Sequence, residues 1–74
     1  MEPHAITQSL AQGLPEQQAR VRDIIAVYRA LPDNAGWPAS LLMTQSLQRA
    51  ERAAAEGDVV AMAIAYTDLS GYKM

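Results

Sequence analysis

Val59-Val60-Ala61-Met62-Ala63-Ile64-Ala65-Tyr66-Thr67-Asp68-Leu69 is the stretch whose reading decides the fold of this chain. At a helical period Val59, Met62, Tyr66 and Leu69 form one stripe, while Val60 and Ile64 project from another side. Asp68 is its one charged residue. A surface helix of a small protein normally carries a single apolar face, so this segment needs cover on two sides. Either the rest of the chain sandwiches it, or another molecule meets it.

The segment is entered through Glu56-Gly57-Asp58. Glycine suits a left-handed helix C-cap, and aspartate caps the helix that follows. A joint this short forces the two flanking helices to pack antiparallel. The preceding helix is predicted over 38–56, starting at Pro38 or with Ser40 as its cap. Its stripe is Met43, Leu47, Ala50 and Ala54, flanked by Ala39, Leu42 and Ala53, with Gln45, Gln48, Arg49, Arg52 and Glu56 facing outward. Ala50, Ala53 and Ala54 opposite Ala61 and Ala65 let two backbones approach closely but bury little area each. The larger residues that must lie over this hairpin come from a helix predicted at 16–31, through Val21, Ile24, Tyr28 and Leu31, with Val27 beside them.

Pro15 suits the first turn of that helix, where its missing N–H costs nothing, and Glu16 complements the helix dipole. Leu31 precedes Pro32 and is pushed out of the α region, which ends the helix. Pro32-Asp33-Asn34-Ala35-Gly36 has turn composition. Residues 1–14 carry Ile6, Leu10 and Leu14 at helical spacing, and permit a short arm ended by Gly13 and Pro15. Tyr72-Lys73-Met74 is left as a tail. The expected architecture is all-α: one domain, three antiparallel helices near 16–31, 38–56 and 58–70, no strand, and a short N-terminal helical arm.

Composition narrows the function classes. Seventy-four residues make one domain, and a chain of this size buries only about 60% of its unfolded surface. With no cysteine, disulfides, thiolate catalysis and the common zinc sites are excluded. Phe is absent as well, so the core is built from aliphatic residues, Ala and three Tyr. Net charge is −2 and the pI is about 5.1, whereas non-specific nucleic-acid binders carry a basic surface. Met1-Glu2-Pro3-His4 lacks the basic start and apolar run of a signal peptide, and no apolar stretch approaches the roughly 20 residues of a membrane span. The expectation is a soluble, cytoplasmic protein.

No catalytic constellation emerges. His4 is the single histidine, beside a proline near the chain end, and solvent exposure is its simpler reading. The eight acidic residues are scattered, with Glu16 and Asp58 at helix starts and Asp33 in a turn, and no pair suggests glycosidase chemistry. Ser9, Ser40, Ser46 and Ser70 have no histidine partner but His4. The glycines form no phosphate-binding loop. The expectation is a non-enzyme with no cofactor and no metal.

Binding is better represented. Arg20, Arg22 and Arg29 share one helix and Arg49 and Arg52 another, a candidate phosphate-contacting face, though interspersed Asp23, Glu51 and Glu56 favour ordinary solvated surface. A helix-turn-helix drawn from the second and third helices would present Val60, Ile64 and Asp68, the wrong chemistry for base edges. Drawn from the first two, it exposes Gln45, Gln48, Arg49 and Arg52, which keeps a DNA-binding, transcription-regulating protein as the alternative. Trp37 either staples the start of the second helix by packing on Leu41 or Leu42 or serves as a binding hot spot. Leu41 points away from Met43, among polar residues. The candidate partner-binding set is Trp37, Leu41, Val60, Ile64, Arg22 and Arg29.

Residues 50–69 resemble a single tetratricopeptide-type helical hairpin, sharing the Gly57-Asp58 joint and the Ala65-Tyr66 pair, although valine stands where an aromatic follows the joint. No second repeat exists, so that resemblance implies a helical hairpin and nothing further. The chain is also similar to the small Ala-rich helical accessory proteins of temperate phages and prophages of Gram-negative bacteria, most clearly in its C-terminal half. That resemblance implies a stand-alone modulator that inhibits a host factor by steric occlusion, as anti-CRISPR proteins do, acting in the host cytoplasm. The remaining expectation concerns Val60 and Ile64. They are shielded by the 1–14 arm, buried in a homodimer, or open to a foreign protein partner.

Overall fold

The computed structural model describes residues 3–73, with side chains from Ser9 onward. Three helices, α1 (Pro3–Arg29), α2 (Trp37–Glu56) and α3 (Val59–Ser70), each pack against the other two, and no strand occurs among the described residues. The protein is a small all-α bundle, as expected from the helical periodicities. It measures 48 × 19 × 14 Å.

The largest departure from expectation is at the N-terminus. Residues 1–14 were expected as a separate arm with a new helix beginning at 16, but α1 runs unbroken through Gly13 and Pro15. Leu10, Leu14, Gln18, Val21, Ile24 and Ile25 are buried, an uninterrupted stripe at three- and four-residue spacing that tertiary packing holds helical. Pro15 leaves the Ala11 carbonyl without its helical donor, yet both residues are exposed, so water satisfies that group. Gly13 is not a helix stop either. A Cβ there would lie 2.8 Å from Cε2 of Tyr66, so the glycine makes room for an aromatic ring from α3. The side chains of His4 and Ile6 lie outside the described residues.

The first joint depends on backbone geometry. Leu31 is extended (ψ 142°) as its following proline demands. Asp33 and Asn34 take positive φ (58° and 59°), which Asp and Asn tolerate better than other non-glycine residues. The chain then enters α2 through Gly36, whose N-cap position has no side-chain hydrogen bond. Gly36 is buried because it lies on the last turn of α1, where an added Cβ would collide with the backbone carbonyl of Tyr28. Ser40 does not cap α2 as expected. It sits in the first turn, fully buried, and its hydroxyl donates to the Trp37 carbonyl at 2.8 Å.

The second joint matches the sequence reading. Gly57 has φ 67°. Its N–H donates to Ala54 (3.2 Å) and the Asp58 N–H to Ala53 (3.1 Å), the paired 5→2 and 6→1 bonds of a Schellman cap. Asp58 then accepts from the Ala61 N–H at 3.1 Å and starts α3. One residue thus closes α2 and the next opens α3.

The core is narrower than the apolar pattern suggested. Met43, Leu47, Ala50 and Ala53 of α2 and Ala65 and Leu69 of α3 pack on the α1 stripe. Leu42 and Ala54, expected on the α2 core face, are exposed, as are Val27 and Leu31 at the end of α1. Ser40 and Ser46 take buried α2 positions instead. On α3 the buried line runs through Ala65 and Leu69, with Met62 half-buried, while Val59 and Tyr66 sit at its margin.

Two polar contacts tie α3 down. Arg20 donates to the Leu69 carbonyl at 2.7 Å and the Tyr72 carbonyl at 2.6 Å, held in place by Gln17 at 2.9 Å. Tyr72, expected in a free tail, folds back so that its hydroxyl meets the buried Ser46 hydroxyl at 2.8 Å. The guanidinium fork places a positive charge at the negative end of the α3 dipole, adding to the backbone bond that the Leu69 carbonyl already accepts from the Tyr72 N–H.

Two outcomes check this account. Gly36→Ala should destabilise more than Gly57→Ala, although only Gly57 has positive φ. The Gly36 clash is with rigid backbone, costing about 2 kcal/mol or more, whereas Gly57 meets nothing within 4 Å and its left-handed conformation costs about 1 kcal/mol. Thermal melts of the two variants decide, and the reverse order would refute the close α1–α2 approach. Arg20→Met, which keeps the side-chain length, should cost about 1–2 kcal/mol and accelerate amide exchange selectively at Gly71 and Tyr72. Unchanged exchange there would refute the clamp.

Candidate protein-binding faces

The six candidate residues fall on two separate faces. Arg22, Arg29, Trp37 and Leu41 lie along the outer seam between α1 and α2. Arg22 and Arg29, seven residues apart, project from the flank of α1 that turns toward α2. Arg22 reaches Glu51 at 3.6 Å, with both side chains more than half exposed. The Arg29 guanidinium lies over the Trp37 ring, 5.4 Å from its centroid. Trp37 is the first residue of α2 and remains 47% exposed. Leu41 follows one turn later on the same side, also exposed. Stapling would have buried the Trp37 ring under Leu41 or Leu42, but all three stay exposed and Arg29 provides the stacking. Because Gly36 presses against the Tyr28 backbone, the segment carrying Trp37 is rigidly placed.

Val60 and Ile64 lie on the second face. They are 70% and 66% exposed and one turn apart on α3, and of the two only Ile64 lines the seam with α2. α1 packs against the opposite flank, where Tyr66 covers Gly13. With both side chains this exposed, the described residues of the 1–14 segment do not shield them, unlike one of the three expected arrangements. Beside them runs a groove of about 240 Å³ between α2 and α3. Ala53, Ala61 and Ala65 form its floor, Ile64 one wall, and Arg49, Arg52, Glu56 and Asp68 its rim. The groove exists because alanine fills the hairpin seam and leaves space that a larger side chain would take. The alanines were legible as packing residues, whereas the cleft they leave follows from the third helix sitting on the other side.

Leu41 is not part of this second face. Ile64 and Ala53 line the same groove, and the Arg49–Asp68 contact (3.2 Å) places them at about the same level. Leu41 lies twelve residues further along α2, about 18 Å away at helical rise.

The arginines do not form a free basic surface. Arg20 clamps the end of α3, Arg22 pairs with Glu51, Arg29 stacks on Trp37, and Arg49 contacts Ser46 and Asp68. Among the described residues no cluster of His, Asp or Glu could hold a metal ion, and no helix is long and apolar enough to cross a membrane. Comparison with family models, with curated proteins and with solved structures found no match.

The stacking of Arg29 on Trp37 has a direct readout, because Trp37 is the single tryptophan. Arg29→Ala should shift its emission to longer wavelength while costing about 1 kcal/mol or less in stability, as expected for a partly exposed cation–π pair. Unchanged emission would mean that the guanidinium does not cover the ring.

Proposed function

We propose that this chain is a non-enzymatic protein-binding modulator that occludes a surface of a larger partner, in the manner of the small phage-encoded inhibitors it resembles. The observation that carries this reading is the Trp37 face: a half-exposed tryptophan stacked by arginine, with Leu41 one turn away. Tryptophan and arginine are the residue types most enriched among binding hot spots. Rigid anchors also lose less conformational freedom on association, and the Gly36–Tyr28 packing supplies that rigidity. An 8.0 kDa chain docked through this face blocks whatever it covers without any chemistry of its own. DNA binding has less support, since four of the five arginines already have partners within the fold and net charge is −2.

Affinity purification from a bacterial lysate, run in parallel with the intact chain and with Trp37→Ala, tests the proposal. A protein retained stoichiometrically by the intact chain should be lost from the variant, its affinity falling about 30-fold or more if Trp37 is a hot spot. The helical circular dichroism spectrum should be unchanged. Equal retention by both chains would overturn the assignment to this face. Retention of duplex DNA that falls steeply with salt would replace the reading with the DNA-binding alternative.

A further inference from the structure

The charges around the α2–α3 groove are ordered along its length. Taking the level of Ile64 and Ala53 as the midpoint, Glu56 lies three residues toward Gly57, about 4.5 Å along the axis. Arg52 and Arg49 lie one and four residues the other way. Arg52 and Glu56 form no ion pair within the described residues; the two ion pairs there are Arg22–Glu51 and Arg49–Asp68. Asp68 lines the groove at the level of Arg49 and pairs with it. Glu56 toward Gly57 and Arg52 on the other side are thus the opposite charges left over, with the exposed Ile64 between them.

We propose that a second copy of this chain covers this groove, related by a two-fold axis that crosses the groove at the level of Ile64, perpendicular to the helices. Such an axis inverts the order of levels while laying α3 against α3 and α2 against α2. Ile64 then meets its symmetry mate over the alanine floor, and Glu56 of each protomer faces Arg52 of the other. Direct opposition of Glu56 with Arg52 places the axis one residue from the Ile64 level on one side. Apolar and ionic matching thus fall within one helical turn of each other. The contact is isologous, the arrangement most homodimers adopt, and it gives α3 the second cover that its two apolar sides require. It uses a different face from Trp37, so it stands independently of the proposed modulator role.

The test is molar mass by sedimentation equilibrium on the full-length chain from about 5 µM to 1 mM. The intact protein should rise from 8.0 kDa toward twice that mass. Ile64→Glu should hold it monomeric with an unchanged helical spectrum, since this side chain is mostly exposed in the monomer. Glu56→Arg and Arg52→Glu should each weaken self-association at least tenfold. An equimolar mixture of the two should restore it, because the Glu56–Arg52 contact is then formed once unchanged and once with its two charges exchanged. Trp37→Ala should dimerise like the intact chain, which separates this result from any failure of the partner-binding face. A chain that remains monomeric at 1 mM overturns the proposal and marks the groove as open to a foreign protein. A dimer indifferent to Ile64→Glu, or charge variants that do not recover on mixing, places the contact elsewhere and overturns it equally.

Discussion

The hold that Arg20 exerts on the end of α3 is the interaction on which the rest of the structure depends. α3 has twelve residues, too short to be helical alone in water. Within it only Ala65 and Leu69 are fully inside, a small area with which to retain an element. One guanidinium from α1 bonds both the Leu69 and Tyr72 carbonyls, and at the other end Asp58 fixes the first turn. Pinned at both ends, α3 can leave one whole flank uncovered and still keep its place.

Local signals were the legible ones. Gly57-Asp58 was readable because a Schellman cap and an N-cap are each decided by residues a few positions apart. The same holds for Leu31-Pro32, where the ring restricts the preceding residue whatever lies around it. Gly13 and Pro15 misled because they are local breakers overruled by distant packing. Leu10, Leu14, Gln18 and Val21 keep helical spacing straight across them, and that continuity was the available sign. Leu42 and Ala54 were assigned inward because apolar residues at helical spacing look alike on either edge of a stripe. Ser40 and Ser46 were undervalued because the hydrogen bonds that make them buriable arise from Trp37 and Tyr72.

Of the candidate site, the residue types were legible and their grouping was not. Trp37, Leu41, Val60 and Ile64 all stood out as apolar residues without an evident place in the core. Which of them share a surface depends on helix register, seen in contacts such as Arg49–Asp68 and Arg22–Glu51 across 19 and 29 positions of sequence. Arginines that resembled a basic face in one dimension serve four different structural purposes in three. The result is a molecule with two unlike faces. One is an aromatic anchor braced by cations, and the other is a shallow aliphatic trough with ordered charge at its ends.

The joint between α2 and α3 has a consequence for how this chain can vary. Because Gly57 ends one helix and Asp58 begins the next, no spare linker residue exists to absorb a change in length. Inserting or deleting one residue early in α3 rotates everything after it by about 100°. That would carry Ile64 off the trough and Ala65 off the core in a single step. A single-residue length change there therefore disrupts trough and core together, whereas substitutions can retune the trough alone. By contrast, the turn around Pro32–Asn34 has no buried residue, so an added residue there displaces nothing from the core as long as a glycine still meets the Tyr28 backbone.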